Sequence, residues 1–247
     1  MDARVVAEID RRLASVEREH DVRIAWAIES GSRAWGFPSP DSDYDCRFVF
    51  VRSEADYLSP WRPRDVLETP LDAVLDVNGW DLIKAVQLAV VGNATITEWL
   101  RSPLVYRGEP DFRDDLLALC EQVADIDAVR RHYLHVGSAQ WRRSGAADGG
   151  PARLKGVFYA LRPAAALRWL REHGSPTPPM NLIDLMAESP PPPAVRDAVD
   201  RLIQDKAATR ELGQGAVPEP IRDFVEAEFA LAESTPATSH PDRLTRH

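Results

Sequence analysis

An α+β fold is predicted: a small mixed β-sheet with flanking helices, followed by an all-helical domain. Three observations lead there. Short β-branched and aromatic runs are confined to residues 1–110, helical periodicity dominates from residue 111 onward, and the 20 prolines gather between the apolar runs, at 38–40, 60–70, 176–179 and 190–193. The division expected is therefore 1–110, 111–234 and a polar, proline-containing tail at 235–247.

Val5, Val6, Ile9, Leu13 and Val16 recur at helical spacing between charges, so the chain opens on an amphipathic helix. Val22 to Ile28 is apolar enough for a buried strand and stops at Glu29-Ser30-Gly31-Ser32. Cys46 to Val51 forms a second strand, rich in aromatic and β-branched residues. Leu71 to Trp80 reads as a third, carrying Asp72 and Asp76, and Asp81 then stands where a helix N-cap belongs, ahead of Leu82 to Ala89. Beyond Asp111 the chain reads as helices over 116–123, 128–141, 154–171, 194–212 and 221–232, with no strand among them.

The 247 residues carry 30 Lys+Arg against 39 Asp+Glu, a net charge of -9. That balance speaks against a long nucleic-acid groove working by counterion release, and so against a DNA groove, but not against a grip on one RNA end. Cys46 and Cys120 lie in apolar runs and cannot build a disulfide framework or a four-thiolate zinc site, which points to a cytoplasmic protein. No apolar run approaches the roughly 20 residues of a membrane span, and the charged N-terminal helix is no signal peptide, so no membrane partner is expected.

The segment with most chemistry runs from Glu29 to Asp45. Asp43 and Asp45 sit two apart at the mouth of a strand, so period-2 geometry turns both to one face. Like charges so placed repel unless something offsets them, and oxygen-rich sites of this kind suit Mg2+ or Mn2+. Gly31 lets the backbone approach a phosphate and the Ser32 hydroxyl can donate to it. Metal-assisted phosphoryl or nucleotidyl transfer fits these ingredients. A calcium loop does not: Asp41, Asp43 and Asp45 match the opening of an EF-hand, but Cys46 stands where its glycine belongs and Arg52 where its glutamate belongs. A plain acidic surface turn is the alternative.

Gly31-Ser32 followed by Asp43-Tyr44-Asp45 resembles the signature of the DNA polymerase β-like nucleotidyltransferase superfamily. The resemblance narrows through Gly31-Ser32-Arg33-Ala34-Trp35-Gly36, Asp76-Val77-Asn78-Gly79-Trp80-Asp81, Glu98-Trp99-Leu100 and Tyr159-Ala160-Leu161-Arg162-Pro163. Its narrower form is the bacterial and phage branch of predicted nucleotidyltransferases associated with RNA-ligase repair systems. The resemblance implies a nucleotidyltransferase domain at 1–110 with a helical domain closing over the nucleotide. The implied reaction moves a nucleoside monophosphate from an NTP, ATP as first candidate, to an acceptor, with an RNA end in repair foremost, and releases pyrophosphate. It assigns Asp43 and Asp45 to two Mg2+ or Mn2+ ions and asks for a third carboxylate that shares the metal and activates the acceptor. Asp76, a charge inside an apolar strand, is the first choice, with Asp81 in reserve.

The same resemblance gives Gly31 and Ser32 to the triphosphate. Arg33 reaches either phosphate or Glu29, and Lys84 faces either the cleft or water. Lys155, Tyr159 and Arg162 share a helix face that can hold phosphate oxygens and stack a base, or that is simply solvated. Arg130, Arg131, Arg142, Arg143 and Arg153 are the cations available for a local RNA patch. A small-molecule or protein acceptor, or nucleotide binding without turnover, are the competing functions.

Overall fold

The structure is a computed structural model that describes residues 1–70, 74–208 and 213–237. Asp72 and residues 209–212, at the end of one predicted helix, lie outside the described residues, as does the tail beyond 237.

Helix α1 (Ala3–His20) starts on an Asp2 cap whose carboxylate accepts from the Arg4 amide at 2.8 Å. Strand β1 (Arg23–Glu29) follows, then a single helical turn α2 (Gly31–Ala34), strand β2 (Tyr44–Val51), helix α3 (Glu54–Leu58), strands β3 (Val66–Glu68) and β4 (Leu75–Asp81), helices α4 (Leu82–Val90) and α5 (Ala94–Leu100), and strand β5 (Val105–Gly108). The five strands form one mixed sheet in the order β3-β4-β2-β1-β5, with β2 and β4 parallel and the other pairs antiparallel. The parallel register sets Asp45 directly beside Asp76.

Each face of the sheet is closed by apolar side chains. Ile9, Leu13 and Val16 of α1 cover Cys46, Phe48, Phe50 and Val77 on one side. On the other, Trp26, Ile28 and Val49 meet Ala85, Ile96 and Trp99 together with Leu116 and Cys120 of α6 (Pro110–Val123). Trp80 and Trp99 stack at 4.0 Å within that layer, the anchoring role expected of large aromatics.

Then come α7 (Ile126–Ser144), a two-residue strand β6 (Ala152–Arg153), α8 (Leu154–His173), α9 (Leu182–Glu188), α10 (Pro193–Ala208), strand β7 (Gln214–Gly215) and α11 (Glu219–Ser234). Helix α8 is buried nearly all round and forms the centre of a second core with α7, α9, α10 and α11. The β6–β7 pair corrects the strand-free reading of this half: two residues a side leave no periodic trace in the sequence. No described helix is long and apolar enough to cross a membrane.

One piece of the sheet half is embedded in the helical half. Phe37 is fully buried and stacks on Phe158 of α8 at 4.7 Å, and Trp35 meets Tyr159 edge-on at 5.0 Å. The backbone there is held as well, with the Trp35 carbonyl accepting from the Leu182 amide at 2.9 Å and the Ala34 carbonyl from Asn181 Nδ2 at 3.1 Å. Gly36 has φ of +91°, and a Cβ there would sit 2.8 Å from Asn181 Oδ1, so the close approach requires glycine.

Candidate active site

A cavity of about 540 Å³ opens between the mouth of β2 and the helical half. Ser32, Asp41, Asp43 and Asp45 line one wall; Arg153, Lys155, Tyr159 and Lys206 line the other. Carboxylates thus face cations across a space of small-ligand size.

The acidic wall is built by the backbone. Gly31 opens α2 at φ +62°, and a Cβ there would lie 2.2 Å from Asp45 Oδ2, so glycine is what admits the carboxylate beside the turn. The Ser30 amide donates to the Asp45 carbonyl at 2.7 Å. Ser42 Oγ accepts from the Ser39 amide at 2.8 Å and from Ser32 Oγ at 3.0 Å, which ties the Asp41–Asp43 turn to the Gly-Ser turn. Burial raises the Asp45 carboxyl above its ordinary range; Arg47 pulls it back, and Asp76 and Asp43 add repulsion.

Beneath Asp45 lies Glu29, which is fully buried. Its Oε1 accepts from the Asp45 amide at 3.2 Å and its Oε2 from the Tyr106 hydroxyl. Burial pushes this carboxyl up to about 7, with the two donors opposing the rise. The sequence offers Glu29 only as a partner for Arg33. Its position as the last residue of an apolar strand was the available signal.

Arg33 is not among the residues lining that cavity; it borders a neighbouring depression that shares Asp41 and Asp43, and it acts on Glu29 through its charge. Its Nη2 donates to the Ser42 carbonyl at 2.5 Å and its Nε to the Asp43 carbonyl at 3.2 Å, while the guanidinium lies 3.9 Å over the Tyr44 ring. It shapes the turn that presents Asp43. Lys84 is also elsewhere, bonded to Asp65 at 2.9 Å in a separate depression beside Arg52 and Asp81. Asp81 caps α4 by accepting from the Ile83 amide at 2.8 Å and approaches Arg52 at 3.5 Å. Five residues along β4 from Asp76 is about 17 Å, which removes Asp81 from the cavity.

Arg162 departs furthest from expectation. Lys155 and Tyr159 reach the cavity from the first turns of α8, but one turn deeper Arg162 is 3% exposed. Its Nη1 meets Glu98 Oε1 at 2.7 Å and its Nε donates to the Met180 carbonyl at 2.7 Å; Glu98 Oε1 also accepts from Tyr133 at 2.9 Å. This is an ion pair of the core, joining α5 to α8. A charge amid Leu161, Pro163 and Ala164 needs such a partner.

Lys206 was missed. It lies on α10 in line with the buried Val195, Val199 and Leu202, an apolar-stripe position that marks a lysine as unusual. Its Nζ lies 4.6 Å from the Phe37 ring centre and 5.2 Å from that of Phe158. Burial first, then Lys155, push its pKa down to about 8, against the pull of Asp41.

Asp76 stands next to Asp45 as its register demands, with Arg47 between them: Nη2 reaches Asp76 Oδ2 at 2.7 Å and Asp45 Oδ1 at 3.3 Å. Among the described residues no three His, Cys, Asp or Glu side chains converge into a metal cluster. Asp43 and Asp45 nonetheless present hard oxygens to one cavity, a donor set suited to Mg2+ or Mn2+ completed by water and phosphate.

A second depression of about 390 Å³, lined by Gln140, Arg143, Ser144, Gly156 and the shared residues Arg153, Lys155 and Tyr159, adjoins the cavity. Arg130 is remote from it, bonded to Asp127 at 3.1 Å and to the Thr235 carbonyl at 2.6 Å, and Arg131 pairs with Asp125 at 3.9 Å.

Residues 5–246 match the RlaP family, described as an RNA repair pathway DNA polymerase beta family. A Bacillus subtilis (strain 168) protein described as uncharacterized protein YcgL is 36% identical over 229 residues, covering 93% of this chain and 85% of its own. A nucleotidyltransferase-like protein from Exiguobacterium sibiricum 255-15 superposes with a TM-score of 0.35 at 11% identity, covering 90% of this chain and 75% of that one, a likeness too distant to build on.

Proposed function

Since the chain belongs to the RNA repair pathway DNA polymerase beta family, we propose that it is a metal-dependent nucleotidyltransferase that moves a nucleoside monophosphate from an NTP to an RNA end. The observation that carries this reading is the single cavity in which Asp43 and Asp45 face Lys155, Lys206 and Arg153. A triphosphate bridges such walls: cations draw its outer phosphates, and the acidic wall takes the divalent ion that accompanies it.

In this scheme the acceptor hydroxyl attacks the α-phosphorus, the bond from that phosphorus to the departing pyrophosphate oxygen breaks, and the hydroxyl proton passes to Asp76. Asp43 and Asp45 would hold a divalent ion, which would neutralise charge on the triphosphate. The Ser32 hydroxyl turns from Ser42 Oγ to donate to a phosphate oxygen, Lys155, Lys206 and Arg153 hold the leaving pyrophosphate, and Tyr159, steadied by Trp35, walls the nucleoside. The basic depression at Arg143, Arg153 and Lys155 favours an anionic acceptor over a neutral small molecule, which is what an RNA end offers a chain of net charge -9.

The test supplies Mg2+ or Mn2+, each of four α-labelled triphosphates and a panel of RNA ends, with an Asp43→Ala, Asp45→Ala double variant alongside. Label is expected on RNA with the native protein and on nothing with the variant. Transfer that survives in the variant refutes the assignment; label on the protein itself, or binding without transfer, refutes the RNA acceptor.

A further inference from the structure

Arg47 is a cation held beside Asp45 by four hydrogen bonds, and none of the chemistry above uses it. Its side chain is 17% exposed. Nη1 donates to the carbonyls of Cys46 and Asp76, both at 3.0 Å, and Nη2 to Asp76 Oδ2 at 2.7 Å and Asp45 Oδ1 at 3.3 Å. The four bonds follow from the parallel register that pairs Asp45 with Asp76 and Arg47 with Asn78, so the guanidinium is fixed by the sheet rather than by a mobile loop. The remaining oxygen of Asp76, Oδ1, accepts from Asn78 Nδ2 at 3.3 Å. Both oxygens of Asp76 are therefore engaged by the protein itself.

An arginine cannot shed its proton in a protein, so this charge is permanent. A metal ion shared by Asp45 and Asp76 would have to stand where the guanidinium stands, and the two cations would repel in a partly desolvated space. Among the described residues Asp43 has no such tie, and it faces the cavity with the other edge of Asp45, the one packed on Gly31.

We infer that Arg47 is a resident cation holding the ground between Asp45 and Asp76, so that the protein takes one divalent ion, on Asp43 and Asp45, and keeps Asp76 out of the metal shell. The inference rests on the nucleotidyltransferase reading and sharpens it, replacing the two ions expected from sequence resemblance by one ion and one fixed guanidinium. Arg47 is a positioning residue: it acts by orienting Asp45 and by occupying a place.

Bound Mn2+ is counted by electron paramagnetic resonance on the full-length protein with saturating α,β-methylene triphosphates of the four bases, so that no turnover is needed. One ion per protein–nucleotide complex is expected for the native protein and for Arg47→Lys, which keeps the charge, and two for Arg47→Met. Two ions in the native protein overturn the inference, because the guanidinium then yields to metal. An Arg47→Met protein that still takes one ion overturns it as well, since something else would be excluding the second. Should Arg47→Met fail to fold, the native and Arg47→Lys counts decide. A count of zero with every nucleotide overturns the metal-dependent reading itself, an outcome distinct from a count of two.

Discussion

Replacing Lys206 with methionine will stabilise the protein and weaken its hold on a triphosphate. The ammonium is buried against Phe37 and Phe158, and its pKa falls from an ordinary 10.5 to about 8. A base depressed on folding favours the folded state above its unfolded pKa, and that advantage is lost as pH falls through the folded value. The gap from 10.5 to about 8, at about 1.36 kcal/mol per pH unit, comes to about 3 kcal/mol, nearly all of it already lost at pH 7. Water in the adjoining cavity makes that an upper bound. Methionine keeps the unbranched stem between the two rings and drops the charge. At about 2–4 °C per kcal/mol for a chain of this size, the melting temperature should rise by up to roughly 10 °C at pH 7. Urea unfolding at pH 7 and pH 10.5 should show the variant ahead at the lower pH and level at the higher. Triphosphate affinity, measured by calorimetry, should drop about 10- to 100-fold, the worth of one charge-assisted hydrogen bond. A destabilised variant, a stability difference indifferent to pH, or an unchanged affinity would each refute the assignment of Lys206 as a strained cation held for an anionic ligand.

Glu29 provides a second pH signature of opposite sign. Its carboxyl is raised to about 7, so its contribution to stability is complete below about 4.5 and is lost as pH climbs through 7; Glu29→Gln, which can still accept from the Asp45 amide and bond Tyr106, should flatten stability between pH 5 and 8 by about 3 kcal/mol. Unfolding curves that run parallel for the two proteins across that range would count against it. Arg162→Met leaves Glu98 buried and short of its cation, at a cost of about 3–5 kcal/mol, while adding Glu98→Gln should restore part of the loss. A loss below about 1 kcal/mol together with abolished nucleotide binding would return Arg162 to the cavity.

The three principal strands and the longer helices follow from apolar runs and periodicity, because those patterns are the same force that buries them, whereas α5 and α9, at seven residues each, also carry core side chains but are too short to show a period. The short strands β3, β5, β6 and β7 do not follow either, since two to four residues are too few to show an alternating period. For the site, the Gly31–Asp45 segment was legible because a tight turn beside a carboxylate demands particular residues. Which other groups join it depends on tertiary placement. Asp76 meets Asp45 only because β2 and β4 run parallel in one register, and the Arg47 bridge exists only through that pairing. Helical spacing put Lys155, Tyr159 and Arg162 on one face, but that face runs from the cavity mouth into the core, so shared azimuth did not mean shared environment. Lys206 was readable in principle, as a charge on an otherwise apolar stripe.

The insertion of Trp35, Gly36 and Phe37 into the helical half bears on how the molecule can be taken apart. A fragment ending near residue 110 would carry Phe37 with no Phe158 to stack on and Trp35 with no Leu182 amide to bind its carbonyl. The turn bearing Gly31 and Ser32 would lose its anchor on one side while Asp43 and Asp45 kept theirs on the other. The two halves differ in composition and architecture, yet the acidic wall of the cavity takes its shape from both, and neither half is an exchangeable module.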